Sequence, residues 1–181
     1  MNRLILLNVF LAVLIFVGCS TSIIDPISST NPKILFEVEY MNGAWGWEHW
    51  GWYIDDLGCV YTYSYGGVSY EGRWNPQRAG IYTENELLEK FNHSKELVKQ
   101  IDCNELSHMT MLIPYARKGK LSDPVGVMWD AGSLTYKGYL YDESKNEYIA
   151  VLLREECNYY IENLSPEAKI LADWLKSVRK K

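Results

Sequence analysis

The sequence predicts an α+β domain: a mostly antiparallel sheet with helices packed on one face. Three observations carry this reading. Alternating apolar and polar residues from Ile34 to Trp74 mark short strands, separated by Asn42-Gly43, Asp55-Asp56-Leu57-Gly58 and Gly66-Gly67 turns. Helical spacing then runs from Thr83 to Ala116. A second group of strands follows from Val125 to Leu153, and a capped helix closes the chain. Strands and helices segregated in this way favour α+β over alternating βαβ units.

The elements follow in order. Phe36, Val38 and Tyr40 alternate with Glu37 and Glu39, which reads as a half-buried strand from Ile34 to Tyr40. Trp45–Ile54 is a second, Trp-rich strand, Cys59–Tyr65 a third, and Val68–Trp74 a shorter fourth. Thr83 with Glu86 fits a capping box, and Leu87, Phe91, Ser94, Val98 and Ile101 continue at helical spacing, with a break admitted near Asn92. Asp102 and Glu105 suggest another capping box, before a stripe of Leu106, Met109, Ile113 and Ala116 that Pro114 ends or kinks and Gly119 stops. Val125–Trp129 is an apolar strand, and Leu134–Tyr141 and Tyr148–Leu153 flank the polar loop from Asp142 to Glu147. In the last helix Ser165 is the cap, Pro166 takes the first position, and Leu171, Trp174, Leu175 and Val178 form the buried stripe.

The chain has 181 residues, 48% of them apolar, which suits one folded domain. A net charge of −5 argues against nucleic-acid binding through a basic face. The departure from ordinary composition is aromatic, with 14 Tyr and 7 Trp.

The first residues carry an address. Met1-Asn2-Arg3 is a short basic start, and Leu4–Val17 is apolar except for Asn8. Fourteen residues at about 1.5 Å rise span about 21 Å, short of a roughly 30 Å hydrocarbon core, so a secretory signal fits better than a membrane span. The segment ends Phe16-Val17-Gly18-Cys19-Ser20. Here the sequence resembles a bacterial lipoprotein signal, although Phe16 stands where that family prefers Leu. The resemblance covers only about the first twenty residues. It implies cleavage before Cys19, diacylglycerol on the Cys19 thiol and acylation of the new amino terminus. It also implies a lipid-anchored place in the bacterial cell envelope, and Ser20 after the cysteine favours the outer membrane where the cell has one. Residues 1–18 then form the signal peptide, 19–32 a flexible tether and 33–181 the domain. The mature chain, with 17 basic against 23 acidic side chains, would depend on its acyl chains for membrane attachment.

Cys59, Cys103 and Cys157 remain after Cys19. An oxidising compartment allows one disulfide and one thiol, and Cys103 with Cys157 is the expected pair because both fall at element boundaries. His49, His93 and His108 lie at no metal-ligand spacing, so no metal or cofactor is expected. There is no GxSxG, HExxH, P-loop or GxGxxG motif, and no catalytic residue is assigned. Cys59 with His49 offers a nucleophile pair, but a small buried cysteine beside a turn is the favoured reading.

The distinctive constellation is the aromatic hairpin. A two-residue loop after Ile54 would put Trp52 opposite Tyr61 and Trp50 opposite Tyr63. A three-residue loop with left-handed Gly58 would instead place His49, Tyr53, Tyr61, Tyr63 and Tyr65 on one face and Trp50, Trp52, Ile54 and Val60 on the other. Gly58 favours the second register. It predicts a partly exposed Tyr-rich strip with Trp45 or Trp47 near its end, suited to stacking on sugar rings or docking a protein, set against the favoured alternative that these aromatics complete a core or a cross-strand ladder. The expected function is a lipid-anchored binding module for a glycan, a peptidoglycan fragment or an envelope protein. A small envelope hydrolase, or a structural or inhibitory partner, are the alternatives.

Overall fold

In the computed structural model, residues 33–65, 80–92 and 95–178 are described; Cys19, the tether and the expected strand Val68–Trp74 lie outside them. The turn between the second and third strands decides which side chains share a face. β1 spans Ile34–Asn42, β2 Glu48–Asp55 and β3 Cys59–Ser64. Gly58 takes φ +78°, a left-handed conformation that disfavours side-chain-bearing residues. A Cβ there would also meet the Ile101 carbonyl oxygen at 2.8 Å. The three-residue loop Asp56–Gly58 therefore forms, and Tyr53 pairs with Tyr61, Trp52 with Thr62 and Ile54 with Val60.

The remaining elements are β4 (Ile81–Thr83), α1 (Glu84–Phe91), β5 (Glu96–Gln100), α2 (Cys103–Thr110), α3 (Ile113–Ala116), β6 (Val125–Gly126), β7 (Ser133–Asp142), β8 (Glu147–Cys157), β9 (Tyr159–Glu162) and α4 (Pro166–Val178). The sheet runs β5-β3-β2-β1-β7-β8-β9-β6, with β4 on β8, and every pairing is antiparallel. On one face Phe36, Val38, Trp52, Ile54 and Val60 pack with Leu106 of α2, Ile113 of α3 and Leu171, Trp174 and Leu175 of α4. On the other, α1 brings Leu87 and Phe91 against Tyr53, Tyr63, Tyr65, Tyr139 and Tyr148. Helices thus meet both faces, because the stripe of α1 is apolar at Leu87 and Phe91 and the aromatic side of the sheet receives it.

Several local expectations change. The helical spacing through Val98 and Ile101 does not extend α1, which ends at Phe91 with Asn92 as its C-cap. Glu96–Gln100 instead pairs with the open edge of β3, where backbone ladder bonds outweigh a weak helical preference. Its register shifts between Val60 and Tyr61, and a bulge of that kind discourages further strand addition at the edge. At α2 the Asp102 side chain accepts from Asn104 N–H and Glu105 N–H, but the Glu105 carboxylate takes the Trp174 indole N–H at 2.7 Å rather than closing a box. Pro114 opens α3 instead of kinking α2, since its missing N–H is unneeded in a first turn. Of Val125–Trp129 only Val125–Gly126 is strand, and β9 was not foreseen.

Candidate functional site

β1 carries Glu37 and Glu39 toward the α1 side of the sheet. Alternation alone suggests a wet face for them, yet they are 0% and 1% exposed. Lys90 of α1 and Lys137 of β7 meet them from above and beside. Lys90 Nζ lies 2.5 Å from Glu37 Oε1 and 2.6 Å from Glu39 Oε1, and Lys137 Nζ lies 2.6 Å from Glu39 Oε2. Two hydroxyls complete Glu37: Tyr63 donates to Oε1 and Tyr139 to Oε2, both at 2.6 Å. Gly51 makes the first of these possible. A Cβ at that position would stand 2.6 Å from the Tyr63 hydroxyl oxygen and 2.4 Å from the Val38 carbonyl oxygen. His49 Nε2 sits 2.8 Å from Glu39 Oε1, and an ionised Glu39 can only accept, so the proton is on Nε2. The Tyr65 hydroxyl donates to the Lys90 carbonyl at 2.8 Å.

Two carboxylates and two ammoniums balance without solvent. Burial alone would raise the Glu39 carboxyl, but Lys137 and Lys90 overcome it and hold Glu39 well below the usual carboxylate range. Burial lowers the Lys90 ammonium despite both glutamates, whereas those glutamates raise Lys137 against its own burial. Burial first, then the charge of Glu37, pushes the Tyr63 and Tyr139 hydroxyls well above their normal range. The arrangement fastens α1 to the sheet. It is too deeply covered to receive a ligand.

The expected aromatic strip must be corrected accordingly. His49, Tyr53, Tyr63 and Tyr65 share a face in the predicted register, but all four are buried, because α1 lies over them. His49 stacks on Tyr65 at 4.4 Å between ring centroids, and Tyr53 packs on Phe91 at 4.3 Å. Tyr61 is half-buried under the Lys95 ammonium, 4.0 Å from its ring centroid. Trp47 is half-buried beside His49, and only Trp45 stands in solvent. Cys59 and His49 fall at opposite ends of the β2–β3 ladder and form no pair. Cys103 and Cys157 are free thiols, so the expected disulfide is not formed; Cys103 is exposed and Cys157 half-buried. Among the described residues no group of three His, Cys, Asp or Glu could hold a metal, and no helix is long and apolar enough to cross a membrane.

The accessible aromatic surface lies elsewhere. Tyr40 donates to the Ala131 carbonyl and Asn42 to the Asp130 carbonyl, so the Trp45 hairpin tip and the Trp129 loop leave the sheet at the same end. Trp129 is 91% exposed, beside exposed Val125, Val127 and Met128. A cleft of about 270 Å³ opens between Val127–Asp130 and Asn158–Tyr159. Asn158 Oδ1 accepts from Ala131 N–H at 2.7 Å, which fixes its amide at the cleft. Two non-glycine residues at this end hold left-handed backbone, Asp130 at φ 61° and Cys157 at φ 87°. Such strain concentrates where a loop is shaped for a task. Sequence reading passed over this cleft because Asp130-Ala131-Gly132 looks like any turn and β9 carries no strong pattern. An exposed Trp in an apolar run was the available signal. Comparison of the chain with protein-family models, with curated protein sequences and with solved structures yields no match.

Proposed function

We propose that this chain is a lipid-anchored protein of the bacterial cell envelope, attached through Cys19, and that its domain is a glycan-binding module. Its ligand surface is the Trp129 cleft rather than the tyrosine face. The observation that carries this reading is the 91% exposure of Trp129 beside a cleft with the Asp130 carboxylate and the Asn158 amide. A flat indole offers a sugar ring a stacking face, and nearby polar groups can bond its hydroxyls. A second reading, docking of another envelope protein, is favoured by the exposed Val125, Val127 and Met128 around the same indole.

Two measurements test the proposal. Cells fed labelled palmitate should label the wild-type protein and leave a Cys19→Ser variant unlabelled; equal labelling removes the anchor. Full-length protein in detergent should show a saturable Trp fluorescence shift with peptidoglycan fragments or a glycan panel. Trp129→Ala should weaken the affinity at least tenfold, about 1.4 kcal/mol, read by calorimetry because the variant lacks the reporting indole. Undiminished binding by Trp129→Ala excludes the cleft. No shift with any glycan leaves the protein partner, which crosslinking through a photoreactive group at position 129 would capture in wild-type cells.

A further inference from the structure

At the other end of β1 lies a second, larger cleft of about 480 Å³, within the usual range for small-molecule sites. Its apolar lining comes from Ile34, Tyr53, Leu88 and Phe91, and its polar rim includes Asp55 and Lys95. Tyr53 and Phe91 form a continuous aromatic floor, with 4.3 Å between their centroids.

Asp55 is the informative group. It is 2% exposed, yet it lines the cleft. Its Oδ1 accepts from Leu57 N–H at 3.1 Å and Cys59 N–H at 2.8 Å, which locks the carboxyl in place. Its Oδ2 accepts no hydrogen bond among the described residues. Although the residue as a whole is buried, this oxygen is not sealed off and opens to the cleft, where a cationic group can meet it. Burial raises the Asp55 carboxyl, as expected of a charge only half satisfied. Lys95 supplies the opposite sign at the rim, its ammonium placed over Tyr61 at 4.0 Å and Tyr53 at 5.4 Å. The carboxylates of Asp55 and Glu89 on the acidic side, the Lys95 ammonium, the Asn92 amide and the apolar floor between them match a zwitterion with a greasy side chain.

We propose that this cleft binds a free apolar α-amino acid, its ammonium received by Asp55 Oδ2, its carboxylate by Lys95 and its side chain by Tyr53, Leu88 and Phe91. The site shares no residue with the Trp129 cleft, and neither proposal depends on the other.

The test is calorimetric titration of the full-length protein in detergent with L-leucine and D-leucine, up to about 10 mM, past the millimolar range of weak small-ligand binding. Leucine amide and N-acetyl-leucine serve as probes lacking one charge each. At least one leucine enantiomer should bind saturably, and each blocked form should bind at least tenfold more weakly. Asp55→Asn preserves the Oδ1 contacts and should weaken leucine tenfold or more. Lys95→Met should do the same while leaving leucine amide unaffected, with circular dichroism unchanged in both variants. No heat from either enantiomer overturns the proposal. So does equal binding by Lys95→Met, which keeps the test decisive if Asp55→Asn does not fold.

Discussion

Glu39→Ala should cost the domain about 3–5 kcal/mol, the penalty for removing one partner of a buried ion pair. Total stabilities are about 5–15 kcal/mol, so the variant should melt far lower or not fold at all. Lys90 and Lys137 both rest on Glu39, at 2.6 Å each, and neither has water to turn to. His49 loses the same oxygen. Lys90 keeps Glu37, whereas Lys137 retains only the longer 3.6 Å approach to it. Glu39→Gln keeps two polar atoms but removes the charge, and should fall between wild type and Glu39→Ala. Thermal melts of the three proteins at pH 7 check the order. A Glu39→Ala protein that melts within a few degrees of wild type would mean that the cluster does not hold α1 down.

The domain should also lose stability steeply in alkali, beginning near pH 10. Tyr63 and Tyr139 stay protonated in the fold well beyond their ordinary range because their hydroxyls donate to a buried carboxylate. Burial holds Tyr82 up to about 12 and Tyr148 to about 12. A tyrosine with a raised folded value adds stability in full below the unfolded value of 10, and that contribution drains away as pH rises toward the folded value. Each tyrosine kept neutral for one pH step past 10 forfeits about 1.4 kcal/mol. Lys137, also raised, acts in the same direction above 10.5. Lys90 acts oppositely: its value is lowered in the fold, so releasing its proton there returns some stability as pH climbs toward 10.5. One lysine cannot offset four tyrosines. Absorbance at 295 nm should therefore show a late, cooperative tyrosinate step coincident with loss of ellipticity between about pH 10 and 12. A gradual, non-cooperative titration with the fold intact would contradict this. At the acid end Glu39 adds stability above the normal carboxylate value and loses it only as pH falls through its own low value, so this cluster should survive mild acid.

Much of the architecture was readable because local chemistry and tertiary structure agree. Gly58 specified the turn and hence the partners of Trp52 and Tyr53. Thr83 and Glu86 form the expected capping box, and Ser165 caps α4, its hydroxyl accepting from Ala168 N–H. What remained hidden depended on long-range pairing. Val98 fits a helical stripe until β3 presents an edge to its segment, Glu96–Gln100. Glu37 and Glu39 read as a solvated face because nothing near them in sequence announces Lys90 and Lys137. The tyrosines were correctly grouped and wrongly exposed: periodicity tells which side chains travel together, but not what covers them. The Trp129 cleft was missed for a related reason: Val125–Trp129 reads as one apolar strand, whereas only Val125–Gly126 pairs and the rest of the run lines the cleft.

The span of the ionic cluster has a consequence for how the chain assembles as it is made. Glu39 and Lys137 are 98 residues apart, and Glu37 and Tyr139 are 102 apart. A nascent chain that has delivered β1 through α1 but not β7 holds two carboxylates on a surface destined for the interior, with Tyr63, His49 and the single ammonium of Lys90 to answer them. That hairpin sheet stays water-seeking on its inner side and gains little by closing early. Loop closure over such separations is slow. Final docking of α1 thus waits for the last third of the polypeptide, and the chain remains pliable until then.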